Sequence, residues 1–123
     1  MFTNINFSGC TALTTIGSKA FYYVGQTSTA FTGINFSECP LLETIGDNAF
    51  RYVGRESTKM TKINFNGCTA LTIIGSSAFY SVGYSSTVCT IIDLSSCEQL
   101  ESVGESAFGI AKYVTEIYLP PNI

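Results

Sequence analysis

The phrase CTALTTIGSKAFYYVG, beginning at Cys10, returns as CPLLETIGDNAFRYVG from Cys39, as CTALTIIGSSAFYSVG from Cys68 and as CEQLESVGESAFGIAK from Cys97. The step is 29 residues each time, and it holds for whole columns. Ile5, Ile34, Ile63 and Ile92 obey it, as do Phe2, Phe31, Met60 and Cys89, then Phe7, Phe36, Phe65 and Leu94, then Leu13, Leu42, Leu71 and Leu100. A fixed period of this size means stacked supersecondary units, each unable to bury its apolar face alone.

Each unit has two halves with different rhythms. In FTGINF, Ile34 and Phe36 flank Asn35. This period of two puts the apolar pair inward and asparagine outward on a short strand. Neighbouring coils stacked at about 4.8 Å would pair these strands in parallel, with the column Asn6, Asn35, Asn64 and Asp93 lining the concave face. In TIGSKAFYYVG, Ile16, Ala20, Phe21 and Val24 fall three and four apart, which predicts one or two helical turns, with Gly17 and Ser18 as the start signal. The apolar columns and the cysteines spell L-x-x-L-x-L-x-x-C-x-x-L, the leucine-rich-repeat frame. The fold expected is therefore an α/β leucine-rich-repeat solenoid: right-handed, with a parallel sheet on the concave side and short helices or 3-10 turns on the other. It makes about four coils of 29 residues, one domain over 1–123 with coils starting near 2, 31, 60 and 89 and a final strand at 114–119.

Composition narrows the chemistry. The 123 residues are 46% hydrophobic and only 12% charged, with a net charge of -3, so there is no basic field to hold nucleic acid. The longest apolar runs, such as Ala20 to Val24, are far short of the roughly 20 residues a membrane span needs. With no histidine, neither a Cys/His nor a Ser/His pair can be built, and the sequence reads as non-enzymatic with no cofactor. Cys10, Cys39, Cys68 and Cys97 form a column, which spreads thiols along an axis instead of converging them on a metal. A buried ladder of reduced thiols is the expectation, with Cys89 in an ordinary apolar strand position.

Two surfaces stand out as candidates for partner binding. Tyr22, Arg51 and Tyr80 share one column and Tyr23 and Tyr52 the next, and tyrosine and arginine are enriched at binding hot spots. Asn35 and Asn64 belong to the outward strand face, where curved repeat sheets often bind protein or glycan. Packing between turns and simple sheet solubility are the competing explanations for each.

The phrases IGSKAF, IGDNAF, IGSSAF and VGESAF, with the closing VTEIYLPPNI, resemble the BspA-type leucine-rich repeats of many bacterial surface proteins and some parasites. Here the coil is longer than that family's usual one, and the cysteine precedes IGxxAF instead of following it. The resemblance implies adhesion and binding to a host or matrix protein or glycan, at a cell surface or after secretion, although this chain carries no signal peptide. A structural or self-associating spacer, and a cytoplasmic adaptor of the cysteine-containing repeat type, are the alternatives. The edge around Phe2, Ile5 and Phe7 has no polar cap before it, so self-association there is a further expectation.

Overall fold

The structure, a computed structural model, describes residues 2–109 and 112–121. Its strands are short: β1 (Asn4–Asn6), β2 (Thr15–Ile16), β3 (Gly33–Asn35), β4 (Thr44–Ile45), β5 (Lys62–Asn64), β6 (Ile73–Ile74), β7 (Ile91–Asp93), β8 (Ser102–Val103) and β9 (Glu116–Tyr118). They form two walls of one solenoid. The first wall holds β1, β3 and β5, then β7 and β9; the second is a continuous sheet in the order β2-β4-β6-β8. Every pairing is parallel, and Ile5, Ile34 and Ile63 sit opposite one another, as do Ile92 and Ile117.

The first wall is interrupted. Phe7 N donates to Asn35 O at 2.7 Å and Phe36 N to Asn64 O at 2.8 Å, but among the described residues Phe65 N makes no such bond to Asp93 O. A cleft of about 500 Å³ opens there between β5 and β7, lined by Lys62 and Asn64 on one side and Ile91 and Asp93 on the other. Coils three and four stay joined elsewhere, through Glu101 N on Thr72 O at 2.8 Å and Phe79 N on Ala107 O at 2.7 Å.

Of the short helices or 3-10 turns expected in the second half of each coil, the structure has the turns. No helix forms among the described residues, and the segment is a run of consecutive turns. Its N–H groups alternate between two destinations. Ala20, Tyr22 and Val24 donate to carbonyls three residues back, at 3.2, 3.2 and 3.0 Å, the local bond of a 3-10 turn. Lys19, Phe21 and Tyr23 donate instead to Asp47, Ala49 and Arg51 of the next coil, at 3.0, 2.7 and 2.9 Å. An α-helix would spend every N–H within itself and leave none for the neighbour. The alternation needs a periodic reversal of backbone hand, and Lys19, Asn48, Ser77 and Ser106 all have φ between 56° and 59°. Side-chain spacing alone does not carry that information.

The glycine expected to start the helix has another use. A Cβ on Gly46 would lie 2.6 Å from Ser18 N, and one on Gly104 would lie 2.4 Å from Ser76 N. Consecutive coils touch backbone to backbone at this column.

Inside, each column becomes a stack. Phe21, Phe50, Phe79 and Phe108 lie face to face with centroids 5.1, 5.2 and 5.3 Å apart and planes within 5° of parallel. Phe7, Phe36 and Phe65 form a second stack at 5.5 Å per step. The two meet edge to face, for example Phe36 on Phe50 at 5.6 Å. Offset and T-shaped ring pairs of this kind add about 0.5–1.5 kcal/mol each beyond area burial. The coil pitch, near the strand spacing, is what permits ring stacking at every step.

Candidate functional site

The seven candidate residues divide between two walls. Asn35 and Asn64 lie on the strand face with Asn4, Asn6, Thr32 and Lys62, around a shallow groove of about 270 Å³. Their carboxamide oxygens are already occupied: Asn35 Oδ1 accepts from Ser37 N at 2.8 Å and Asn64 Oδ1 from Asn66 N at 2.9 Å. Asn6 and Asp93 do the same for Ser8 and Ser95, each at 2.9 Å. The column is a set of Asx turns ending the strands. Ser95 Oγ also donates to Asp93 Oδ1 at 2.6 Å, and this hydroxyl first, with the backbone N–H beside it, holds the Asp93 carboxyl below the usual range.

Tyr22, Tyr23, Arg51, Tyr52 and Tyr80 come together on the turn side. Tyr22 and Tyr23 meet edge to face at 4.3 Å, Tyr23 stacks on Tyr52 at 4.8 Å, and Tyr52 meets Tyr80 edge to face at 5.7 Å. The Arg51 guanidinium lies 5.1 Å from the Tyr52 ring centre and 4.7 Å from that of Tyr80. Its Nη1 donates to Asn48 Oδ1 at 3.2 Å and its Nη2 to Tyr52 Oη at 3.4 Å. The buried Nε has no hydrogen-bond partner. The bond to Tyr52 raises the Arg51 pKa further, so its charge is permanent.

The ridge is longer than the sequence columns suggest. Lys19 lies 5.9 Å from the Tyr22 ring, Arg55 4.8 Å from that of Tyr84, and Lys112 5.8 and 5.3 Å from those of Tyr84 and Tyr113. Arg55 Nε also donates to Ser81 Oγ at 3.2 Å, joining this group to the residue after Tyr80. Arg55 and Tyr84 are themselves 29 residues apart, a column the sequence offers but the hot-spot reading passed over. Cation–π contacts at such partly exposed positions contribute about 0.5–1 kcal/mol each.

Backbone conformation sets two of these tyrosines apart. Tyr23 and Tyr52 have φ of 64° and 65°, and the same column in the third coil is Ser81 at 61°. Left-handed backbone costs a residue with a Cβ about 1–2 kcal/mol, and bulky side chains are rare there.

The thiols make no bridge: all five cysteines are free. Cys39, Cys68, Cys89 and Cys97 are buried, while Cys10, in the first coil, is exposed. Cys39 Sγ donates to Phe7 O at 3.1 Å and Cys68 Sγ to Phe36 O at 3.3 Å. In the fourth coil Ser96 Oγ takes over the bond to Phe65 O, at 3.1 Å. Burial pushes the Cys68 thiol up to about 12 and the Cys97 thiol to about 11. No three His, Cys, Asp or Glu side chains gather as a metal site among the described residues.

The model of the BspA type leucine rich repeat region matches six copies over residues 1–123 of this stacked chain. The chain belongs to that family. No curated protein and no solved structure matches it. Membership of the BspA-type family suggests a repeat module for protein binding or adhesion. No helix among the described residues is long and apolar enough to cross a membrane.

Proposed function

We propose that the chain is a non-enzymatic protein-binding module of an adhesion protein at the cell surface, and that the tyrosine–cation ridge is its contact face. The observation that carries this reading is the pair of tyrosines at positive φ. The turn itself requires the reversed backbone, and serine serves there in the third coil, so the bulkier tyrosine in coils one and two is best accounted for by a contact role. Tyr22 and Tyr23 are 37% and 43% exposed, so their rings are available as well as positioned. The strand face is the lesser candidate, because its asparagines already serve the turns. BspA-type membership supports the adhesion reading.

A displayed random-peptide library tests the contact face. Peptides selected on the folded chain should lose binding to Tyr22→Ala and Tyr23→Ala variants and keep it with Asn35→Ala and Asn64→Ala. The reverse pattern would move the site to the strand face. For localisation, a membrane-impermeant biotin reagent should label the full gene product on intact cells; protection until lysis would refute a surface location.

A further inference from the structure

We infer that the partner presented to this ridge is an extended acidic peptide segment, an assignment that rests on the ridge being the contact face. Charge distribution is the first support. The chain has a net charge of -3 and six Lys and Arg residues. Four of the six, Lys19, Arg51, Arg55 and Lys112, stand over tyrosine rings on this one strip. An acidic protein has gathered most of its positive charge along one ridge.

Those cations are also uncompensated by their hydrogen bonds. Arg51 donates to an amide oxygen and a phenol, and Arg55 to a serine hydroxyl, all neutral acceptors. Asp47, the carboxylate in the coil facing Lys19, turns its Oδ1 to Ser76 N at 2.8 Å. The rings and neutral acceptors hold the cations in place without cancelling their charge.

Arg51 shows the form of anion that fits. Each terminal nitrogen carries two hydrogens and spends one, Nη1 on Asn48 and Nη2 on Tyr52. One hydrogen remains on each, free to be donated to an anionic acceptor such as a carboxylate. Fixing the guanidinium between Tyr52 and Tyr80 beforehand lowers the entropy cost of that contact.

Spacing supplies the length. Lys19 belongs to the first coil and Lys112 to the fourth, three steps of about 4.8 Å, or about 15 Å along the solenoid axis. An extended peptide covers that in about five residues. Carboxylates along such a segment would meet Arg51 and Arg55 centrally and the lysines at its ends, while its apolar side chains would lie on Tyr22 and Tyr23.

Calorimetric titration of the full chain tests this with three probes: a glutamate-rich peptide of about ten residues, its glutamine twin, and heparin as a sulfated glycan. The glutamate peptide should bind, and the twin should be weaker by at least about tenfold, since charge-assisted hydrogen bonds are lost. Arg51→Gln combined with Arg55→Gln should weaken it by a similar factor. Lys59→Gln combined with Lys62→Gln removes the same charge from off the ridge and should leave affinity unchanged. If the arginine double variant does not fold, Lys19→Gln with Lys112→Gln, both exposed, should give a weakening of about threefold or more that the strand-side pair does not. Equal losses in the ridge and off-ridge variants, equal binding of the glutamine twin, or binding of heparin alone would each overturn the assignment. Neutral peptides from the library that still depend on Tyr22 and Tyr23 would leave the contact face standing and remove only its acidic ligand.

Discussion

Gly75 and Gly17 occupy the same position of the same phrase, one with a preceding coil beneath it and one without. A Cβ on Gly75 would fall 2.5 Å from Asp47 Oδ1, 2.6 Å from Asp47 N and 2.7 Å from Gly46 C, whereas one on Gly17 would meet nothing within 4 Å. Neither glycine has positive φ, so alanine is conformationally acceptable at both. At Gly75 the added methyl must push two coils apart, and overpacking of this kind costs about 1–3 kcal/mol, with backbone on the far side placing it at the upper end. At Gly17 only the denatured chain is affected, a gain of about 0.4–1 kcal/mol. The two substitutions should therefore differ by about 3 kcal/mol, or roughly 12 °C in melting temperature for a chain of this size. Thermal unfolding followed by far-ultraviolet circular dichroism measures both under one condition. Equal shifts for Gly17→Ala and Gly75→Ala would refute the claim that this column sets the distance between coils.

Four other outcomes follow from the geometry. A thiol reagent should find one fast site in the native protein, Cys10, and five after denaturation; a second fast site would contradict the burial of the ladder. Because Cys68 and Cys97 are raised to about 12 and about 11, the folded state keeps protons that the unfolded state releases, so stability present below about pH 9 should fall as pH rises toward 12. A flat melting temperature across that window would count against it. Ser57→Ala removes the buried hydroxyl that donates to Phe31 O at 2.6 Å and should cost about 1–3 kcal/mol in denaturant unfolding; a loss below about 0.5 kcal/mol would show that carbonyl satisfied by another group. Tyr23→Gly relieves a left-handed backbone, so it should melt within about 4 °C of the parent while losing selected peptides. A large destabilisation with binding intact would make the ring a packing element.

Much of the fold was legible because a repeat multiplies weak signals. One Ile-Asn-Phe triplet says little, but three at one step, with Ile92-Asp93-Leu94 at the next, fix strand and direction in all four coils and the paired neighbour in the first three. The phenylalanine stacks follow from the same columns. The turn half resisted because Ile16, Ala20, Phe21 and Val24 place apolar groups inward both on a helix and around a corner of reversing φ, and nothing about Lys19 or Tyr23 as residue types announces the left-handed region. Serine was similarly silent. Ser28, Ser57 and Ser86 close the first three coils by donating to Phe2, Phe31 and Met60 carbonyls at 2.7, 2.6 and 2.6 Å, and only the partner carbonyl reveals it. At the ridge, columns found Tyr22, Arg51 and Tyr80, but Lys19 and Lys112 reach their rings across columns, which only three dimensions show.

The interrupted wall between β5 and β7 changes how the molecule would bear load. Tension applied along the axis of a repeat stack passes from coil to coil through its hydrogen-bonded rows, and between coils three and four one of those rows is missing. The force then falls off-centre, on Gly104 N to Ile74 O and on the turn bonds Ser77 N to Glu105 O and Phe79 N to Ala107 O. An eccentric load peels bonds one after another instead of shearing them together. The joint would open as a hinge with its mouth at Lys62 and Asp93, yielding at lower force than the joints on either side of coil two. A tethered chain would then lengthen in a small first step while its phenylalanine stacks in coils one to three still held.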